Sequence, residues 1–168
     1  MKTTKEYVVF LRGINVGGNK KISMAQLKQV FEKCGFSNVK TLLNSGNVVF
    51  STDHSQNISS ESITEFLDTL LGQKIYTILR SSQQLRDLIK LNPFENIIVT
   101  SETRLYVTFL PKHLKIDKLT TSNENFKILN TTDTEFLSVV TLTSEYNTTD
   151  LMSIIEKHYG KQVTTRSW

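Results

Sequence analysis

Hydrophobic and polar positions along the first half of the chain follow two periods, one typical of strands and one typical of helices. The continuous apolar run at 7–11 predicts a strand that is buried on both faces, and the apolar stripe behind Ser23 predicts an N-capped helix. The small residues Ser45 and Gly46 predict a hairpin turn. The first six predicted elements are a strand at 5–11, a helix at 23–34, strands at 38–44 and 47–51, a helix at 59–71 and a strand at 74–80.

The second half of the chain repeats this order of elements. A connecting helix at 82–91 ends before Pro93, because proline disfavours helix continuation, and a linker is expected at 92–103. The remaining predicted elements are a strand at 104–110, a short helix at 112–119, strands at 125–130 and 135–142, a helix at 149–159 and a strand at 162–168. The pattern shows no obvious repeat of residue identity.

Two βαββαβ units predict an α+β protein with two tandem ferredoxin-like subdomains, also called α-β plaits. Each subdomain would be an antiparallel sheet with two helices on one face. The first subdomain with its connecting helix is expected at 1–91 and the second at 104–168. Within such a unit the crossover makes the first two strands parallel. We therefore expect the loop after the first strand and the 45–46 turn at one end of the first sheet, beside the start of the first helix.

That end of the sheet is the strongest candidate site in the sequence. Glycines let a backbone approach a ligand closely, a helix start carries partial positive charge, and the cations of the loop complement phosphate or carboxylate. The predicted ligand-binding residues there are Arg12, Asn15, Gly17, Gly18, Lys20, Ser45, Gly46 and Asn47. The spacing matches neither the P-loop nor the dinucleotide fingerprint. The alternative is that the same glycine and asparagine residues only shape turns and bond the loop's own backbone.

Charge supports an anionic partner without identifying it. The 168 residues contain 20 basic and 16 acidic residues, and residues 1–40 alone contain 8 basic and 2 acidic residues. A basic segment favours anionic ligands, although a solvated helix face has the same composition.

Other chemistry has little support in the sequence. A single cysteine, Cys34, excludes an intramolecular disulfide, and three scattered histidines form no ligand-spaced metal cluster. No metal or cofactor is predicted, and no local nucleophile–base pair indicates a reaction, so enzymatic activity is left open. Because the sequence shows neither a signal core nor a membrane span, we expect a soluble, cytoplasmic protein.

One motif carries a resemblance that extends over nearly the whole chain. Leu-Arg-Gly-Ile-Asn-Val-Gly-Gly at 11–18 is followed by Ser-Gly-Asn-Val-Val-Phe at 45–50, Asn-Pro-Phe at 92–94 and Thr-Arg-Ser-Trp at 165–168. This series resembles the bacterial domain-of-unknown-function family 1697. The resemblance implies a pair of plait-like subdomains and no established activity. The sequence departs from the usual family pattern at Leu42 and Asn44, where tyrosine and glutamine are common.

Arg166 and Trp168 are a second candidate pair at the end of the last predicted strand. A tryptophan there usually packs on a core or an interface, with a nearby arginine stacked on it or paired with a carboxylate. The alternative is that both residues contact a ligand.

Three functions compete on these observations. The first is a small-anion- or nucleotide-binding module that uses the 12–21 loop. The second is a nucleic-acid-binding plait, although Val48-Val49-Phe50 lacks the expected aromatic-rich signature. The third is a structural role in which edge strands pair in a homodimer.

Overall fold

The computed structural model describes residues 4–15, 21–42, 46–53, 58–112, 114 and 124–168. Within these ranges the chain forms two four-stranded antiparallel sheets and four α-helices. It divides into two compact units, Met1–Asp87 and Leu88–Trp168.

The first unit contains a sheet with strand order β2-β3-β1-β4. Its elements are β1 (Lys5–Leu11), α1 (Met24–Lys33), β2 (Ser37–Leu42), β3 (Asn47–Thr52), α2 (Ser60–Leu71) and β4 (Thr77–Ser81), and α3 (Ser82–Lys90) follows directly. Strand β1 pairs antiparallel with both β3 and β4, so it is central in the sheet as its apolar run predicts. Because β1 is central, the loop that follows it lies between the ends of two neighbouring strands.

Local capping explains where the first two helices begin. The Ser23 hydroxyl accepts a hydrogen bond from the backbone N–H of Gln26, 3.1 Å away, and Ser59 forms a reciprocal capping box with Ser62. Both helices pack on the same face of the sheet. Their shared core contains Val9, Leu11, Val48, Phe50, Leu27, Phe31, Ile63 and Leu67. Burial of this apolar face holds α1, and Ile22 just before it, against the sheet.

The second unit contains a sheet with strand order β6-β7-β5-β8. Its elements are β5 (Thr103–Phe109), β6 (Phe126–Thr131), β7 (Glu135–Thr141), α4 (Thr148–Tyr159), a short 3-10 turn (Gly160–Gln162) and β8 (Thr164–Ser167). The helix predicted at 112–119 lies almost wholly outside the described residues. The two sheets therefore share one strand order.

The correspondence between the units extends to individual residues. Strand β1 contains Tyr-Val-Val-Phe-Leu at 7–11, and β5 with the next residue contains Tyr-Val-Thr-Phe-Leu at 106–110. In register, Val8 lies opposite Arg80 in the first sheet, and Val107 lies opposite Arg166 in the second. The two sheets thus correspond in strand order and in this short strand motif.

The last strand of each sheet is shorter than the sequence pattern indicates. Strand β4 begins at Thr77 instead of residue 74, because its partner β1 ends at Leu11, which lies opposite Thr77. Strand β8 begins at Thr164 instead of residue 162, because the 3-10 turn occupies the preceding residues. The shortening of β4 leaves 74–76 outside the sheet, beside the loop that follows β1.

Candidate functional site

The loop after β1 and the hairpin turn lie at the same end of the first sheet, as the crossover rule predicts. The backbone N–H of Leu11 donates to the carbonyl of Gly46 at 2.8 Å. Gly46 has a φ of 76°, and a Cβ at this position would lie 2.7 Å from Cδ1 of Ile14. Glycine is therefore required here both by the left-handed backbone and by the close approach of the loop.

Asn15 closes the base of the loop. Its side-chain oxygen accepts from the backbone N–H of Ile22 at 2.8 Å, and its side-chain nitrogen donates to the carbonyl of Ile22 at 2.9 Å. Ile14 and Ile22 are both buried in the core. The two ends of the 16–21 segment are therefore held close together and anchored in the first unit.

This geometry supports the turn-shaping interpretation of Asn15. Its amide is engaged with Ile22, so Asn15 positions the loop. Asn47 is the first residue of β3 and lies opposite Phe10. The other predicted residues of this end, namely Gly17, Gly18, Lys20 and Ser45, lie outside the described residues.

Several backbone donors at this end already have protein acceptors. The N–H of Arg12 donates to the carbonyl of Tyr76 at 2.9 Å, and the N–H groups of Leu11, Ile22 and Gln26 donate to Gly46, Asn15 and Ser23. These four N–H groups therefore already have protein partners.

The cations at this end include one that the sequence pattern did not indicate. Arg12 is half-buried, and Lys21 is exposed at the far end of the loop. Lys74 is exposed just before β4, and its Nζ lies 5.4 Å from the ring centroid of Tyr76. Because the carbonyl of Tyr76 accepts from Arg12, the backbone of Tyr76 lies directly beside the start of the loop.

Arg166 and Trp168 lie on the other sheet, in the second unit. Nη1 of Arg166 donates to the Thr164 hydroxyl at 2.7 Å and to the Thr165 carbonyl at 2.9 Å. The Trp168 ring meets Phe94 edge-on, with centroids 5.2 Å apart. Burial lowers the pKa of Arg166 to about 10, so its guanidinium is charged at neutral pH. These contacts fit the packing interpretation, in which Phe94 is a partner of the indole.

Metal and thiol chemistry find no support at the described positions. In the part of the chain that the structure describes, no three histidine, cysteine, aspartate or glutamate residues are grouped to hold a metal ion. Cys34 is half-buried next to the apolar residues of α1 and α2, and burial raises the pKa of its thiol. A raised pKa favours the unreactive protonated thiol at neutral pH. None of the described helices is long and apolar enough to span a membrane.

A family model described as "Protein of unknown function (DUF1697)" matches residues 4–136. The chain belongs to this family. The chain is also similar to a solved structure, the conserved bacterial protein SP0830 from Streptococcus pneumoniae, with a TM-score of 0.67 and 19% identity. The similarity covers 98% of this chain and 93% of that one, and at this identity it shows a shared fold alone. Among curated proteins, none matches the chain.

Tyr76 of this family 1697 protein contacts the start of the loop through its backbone, and Lys74 contacts its ring, neither of which the sequence analysis predicted. Both were assigned to the predicted strand at 74–80, with Lys74 as its first residue. The signal was nevertheless present, because the predicted topology places the fourth strand beside the first. Residues that precede the fourth strand must then lie next to the loop that follows the first strand.

Proposed function

We propose that this chain is a small-anion- or nucleotide-binding module whose site is built on the 12–21 loop. The observation that supports it best is the pair of hydrogen bonds between Asn15 and Ile22. These bonds hold both ends of a glycine-containing segment next to the Gly46 turn and the start of α1. A loop whose ends are fixed loses less conformational freedom on binding, so more of the interaction energy contributes to affinity.

The distribution of charge supports the same end of the molecule. The unit Met1–Asp87 contains 11 basic and 7 acidic residues, whereas Leu88–Trp168 contains 9 of each. The entire formal charge of +4 therefore belongs to the unit that contains the loop. A net positive field raises the local concentration of anionic ligands.

Each residue of the proposed site has a distinct role. The planar guanidinium of Arg12 pairs with two oxygens of a phosphate or carboxylate, and Lys20 adds a second cation. Gly17 and Gly18 supply backbone N–H groups at close range. The Ser45 hydroxyl is the contribution of the hairpin turn, while Asn15 positions the loop. Arg166 and Trp168 are kept as a separate candidate contact on the second unit.

We also propose that both units are ferredoxin-like subdomains of a cytoplasmic protein. The common strand order, β2-β3-β1-β4 and β6-β7-β5-β8, supports the fold, as does the packing of α1 and α2 on one face of the first sheet. A chain with the single cysteine Cys34 does not use intramolecular disulfides, which fits a reducing compartment.

Thermal unfolding in the presence of small anions tests the proposed site. Phosphate, nucleoside phosphates and acidic metabolites are expected to raise the melting temperature, because a ligand that binds only the folded state stabilises it. Arg12→Ala should abolish this shift. Arg86→Ala is the matched control, since Arg86 is an exposed residue of α3, which follows the other end of β4. A flat response across all the compounds would refute the proposal.

Nucleic-acid binding is a weaker second candidate, favoured by the charge of the first unit. Phe50 is 0% exposed and belongs to the core between the sheet and the helices, so it offers no ring for base stacking. Gel shifts with single-stranded RNA at low and moderate salt distinguish the two candidates, because phosphate contacts weaken steeply with salt.

A further inference from the structure

A short apolar segment, residues 97–100, lies on the surface of the second unit just before β5. Ile98 is 86% exposed and Val99 is 61% exposed, while Ile97 before them is half-buried. Isoleucine and valine are usually buried, and exposed apolar residues that lie together mark interaction sites. The segment 97–100 is therefore a candidate contact surface.

The backbone of the segment 97–100 is available for pairing as well. In the ranges that the structure describes, neither the N–H of Ile98 nor the N–H or carbonyl of Val99 has a hydrogen-bond partner. The carbonyl of Ile98 accepts one long hydrogen bond of 3.5 Å from the Thr103 hydroxyl. β-Branched residues favour strands, and strands pair through these backbone groups. The segment therefore offers both the side chains and the backbone groups that an added strand uses.

Hydrogen bonds hold both ends of the segment 97–100. The N–H of Ile97 donates to the carbonyl of Phe94 at 2.9 Å, and Phe94 is buried. The N–H of Thr100 donates to the Thr103 hydroxyl at 3.0 Å, and the N–H of Thr103 donates to the carbonyl of Thr100 at 3.2 Å. Fixed ends lower the entropy that is lost when a partner binds. The segment therefore presents its side chains from a defined backbone.

Acidic residues flank the segment 97–100 on both sides. Glu95 and Glu102 are exposed, and neither forms an ion pair with a residue of the described ranges. Hydrogen bonds from the Ser101 and Thr100 hydroxyls lower the pKa of Glu102, so this carboxylate is charged at neutral pH. Arg104 makes the smallest contribution in the same direction, and its guanidinium donates to backbone carbonyls. A partner strand with basic residues at both ends complements this charge.

We propose that residues 97–100 bind an extended segment of another protein, in which β-branched residues are flanked by lysine or arginine. The bound segment pairs with the backbone of Ile98 and Val99, and its basic side chains face Glu95 and Glu102. A second copy of this chain is a poorer occupant. Antiparallel pairing of Ile98 with Val99 of a second copy would put Glu95 opposite Glu102 of that copy, and like charges directly opposite each other are destabilising. This inference does not depend on the proposed anion site.

Fluorescence anisotropy of labelled peptides, titrated with the full chain, tests the inference. The basic peptide Lys-Thr-Val-Ile-Val-Thr-Lys is expected to bind with saturation. Exchange of both lysines for glutamate should weaken binding about tenfold, because two pairs of opposite charge become pairs of like charge. Proline in place of the central isoleucine should weaken binding at least as much, because proline lacks the N–H that a strand uses.

A serine variant of the chain tests whether the contact lies on the segment 97–100. Ile98→Ser should weaken binding of the basic peptide about tenfold, because it removes the most exposed apolar side chain of the segment. Leu70→Ser changes an exposed leucine of α2 and should bind like wild type. Both variants should keep the wild-type circular dichroism spectrum.

Charge reversal tests the role of the two flanking carboxylates. Glu95→Lys combined with Glu102→Lys should reverse the preference, so that the acidic peptide binds more tightly than the basic one. A partly unfolded variant would not produce such a reversal. Glu65→Lys combined with Asp68→Lys is the matched control, since both residues are exposed on α2, and it should keep the wild-type preference.

Hydrogen exchange of the amides shows whether the peptide pairs as a strand. The amide of Ile98 or of Val99 should exchange more slowly in the complex, and unchanged exchange at both would exclude strand pairing. Equal binding of all three peptides, or no binding of any of them, would overturn the inference. Dimers in light scattering that Ile98→Ser abolishes, without peptide binding, would assign the segment to a second copy and overturn it as well.

Discussion

Asn15 and Ile22 are joined by a reciprocal pair of hydrogen bonds between the side chain of one residue and the backbone of the other. The amide of Asn15 imitates a peptide unit and completes a local pairing that the backbone alone does not make. Asn15 itself has a φ of 58°, a left-handed conformation that asparagine adopts more readily than most residues. Hydrogen bonds within the protein therefore fix the geometry of the loop base, and no ligand is needed to form it.

Asn15→Ala is expected to destabilise the first unit by about 1–3 kcal/mol, because it leaves both the N–H and the carbonyl of Ile22 without their partner. Asn38→Ala is the matched control. Asn38 has a similar φ of 52° but makes one long side-chain hydrogen bond of 3.4 Å to Ser51. The backbone cost of alanine in the left-handed region thus cancels between the two variants. If chemical denaturation shows the same loss of unfolding free energy for both variants, the Asn15–Ile22 hydrogen bonds make no additional contribution to stability.

Gly46→Ala is expected to be more damaging than Gly13→Ala. Both glycines have positive φ, 76° and 67°, so both variants pay about 1–2 kcal/mol for a left-handed alanine. At Gly46 the new methyl also meets Ile14 at 2.7 Å, whereas at Gly13 it has no described atom within 4 Å. Overpacking adds about 1–3 kcal/mol at Gly46 alone. The melting temperatures of the two variants test this expectation. A lower melting temperature for Gly13→Ala than for Gly46→Ala would contradict the close approach of Gly46 to Ile14.

Ser138→Ala is expected to be neutral or to stabilise the second unit by up to about 1 kcal/mol. Ser138 is 0% exposed, and within the described ranges its hydroxyl has no hydrogen-bond partner. Removing an unsatisfied buried hydroxyl removes its desolvation cost. Thr108→Val is the contrasting variant, since the Thr108 hydroxyl lies 2.9 Å from that of Thr165, and it should cost about 1 kcal/mol. Urea denaturation that shows a loss of more than 1 kcal/mol for Ser138→Ala would rule out this account of the core.

Cys34 is expected to react slowly with iodoacetamide in the folded protein, and faster after unfolding in guanidinium. Burial raises the pKa of the thiol above its ordinary 9.0, so the folded state holds the proton more tightly. The labelling rate should still be rising at pH 9, and stability should fall as pH rises above 9.0 because the unfolded state then binds fewer protons. A folded-state rate that levels off below pH 9, or one that equals the unfolded rate at every pH, would exclude a raised pKa.

Local chemistry in the sequence predicted much of the first unit. The apolar run of β1 predicted its central position, and Ser23 caps the first helix as predicted. The adjacency of Gly46 to the loop followed from the handedness of the crossover. These features depend on neighbours in the chain or on a general rule of topology.

Other features depended on tertiary partners and could not be predicted. Asn15 was open to two interpretations, because the sequence does not show that Ile22 is within reach of its amide. The length of β4 depended on where β1 ends, so Tyr76 was placed inside a strand. The correspondence of Arg80 with Arg166 became visible only when each strand could be aligned with its partner in register.

Amide NMR spectra of isotopically labelled protein, recorded during a titration with pyrophosphate, test the central claim most directly. The account predicts saturable shifts centred on the amides of the 12–21 loop and Gly46, weakened by salt and lost in Arg12→Ala. Arg86→Ala should give the wild-type response. Spectra that do not change, or shifts that saturate elsewhere while the loop amides stay in place, would contradict the account.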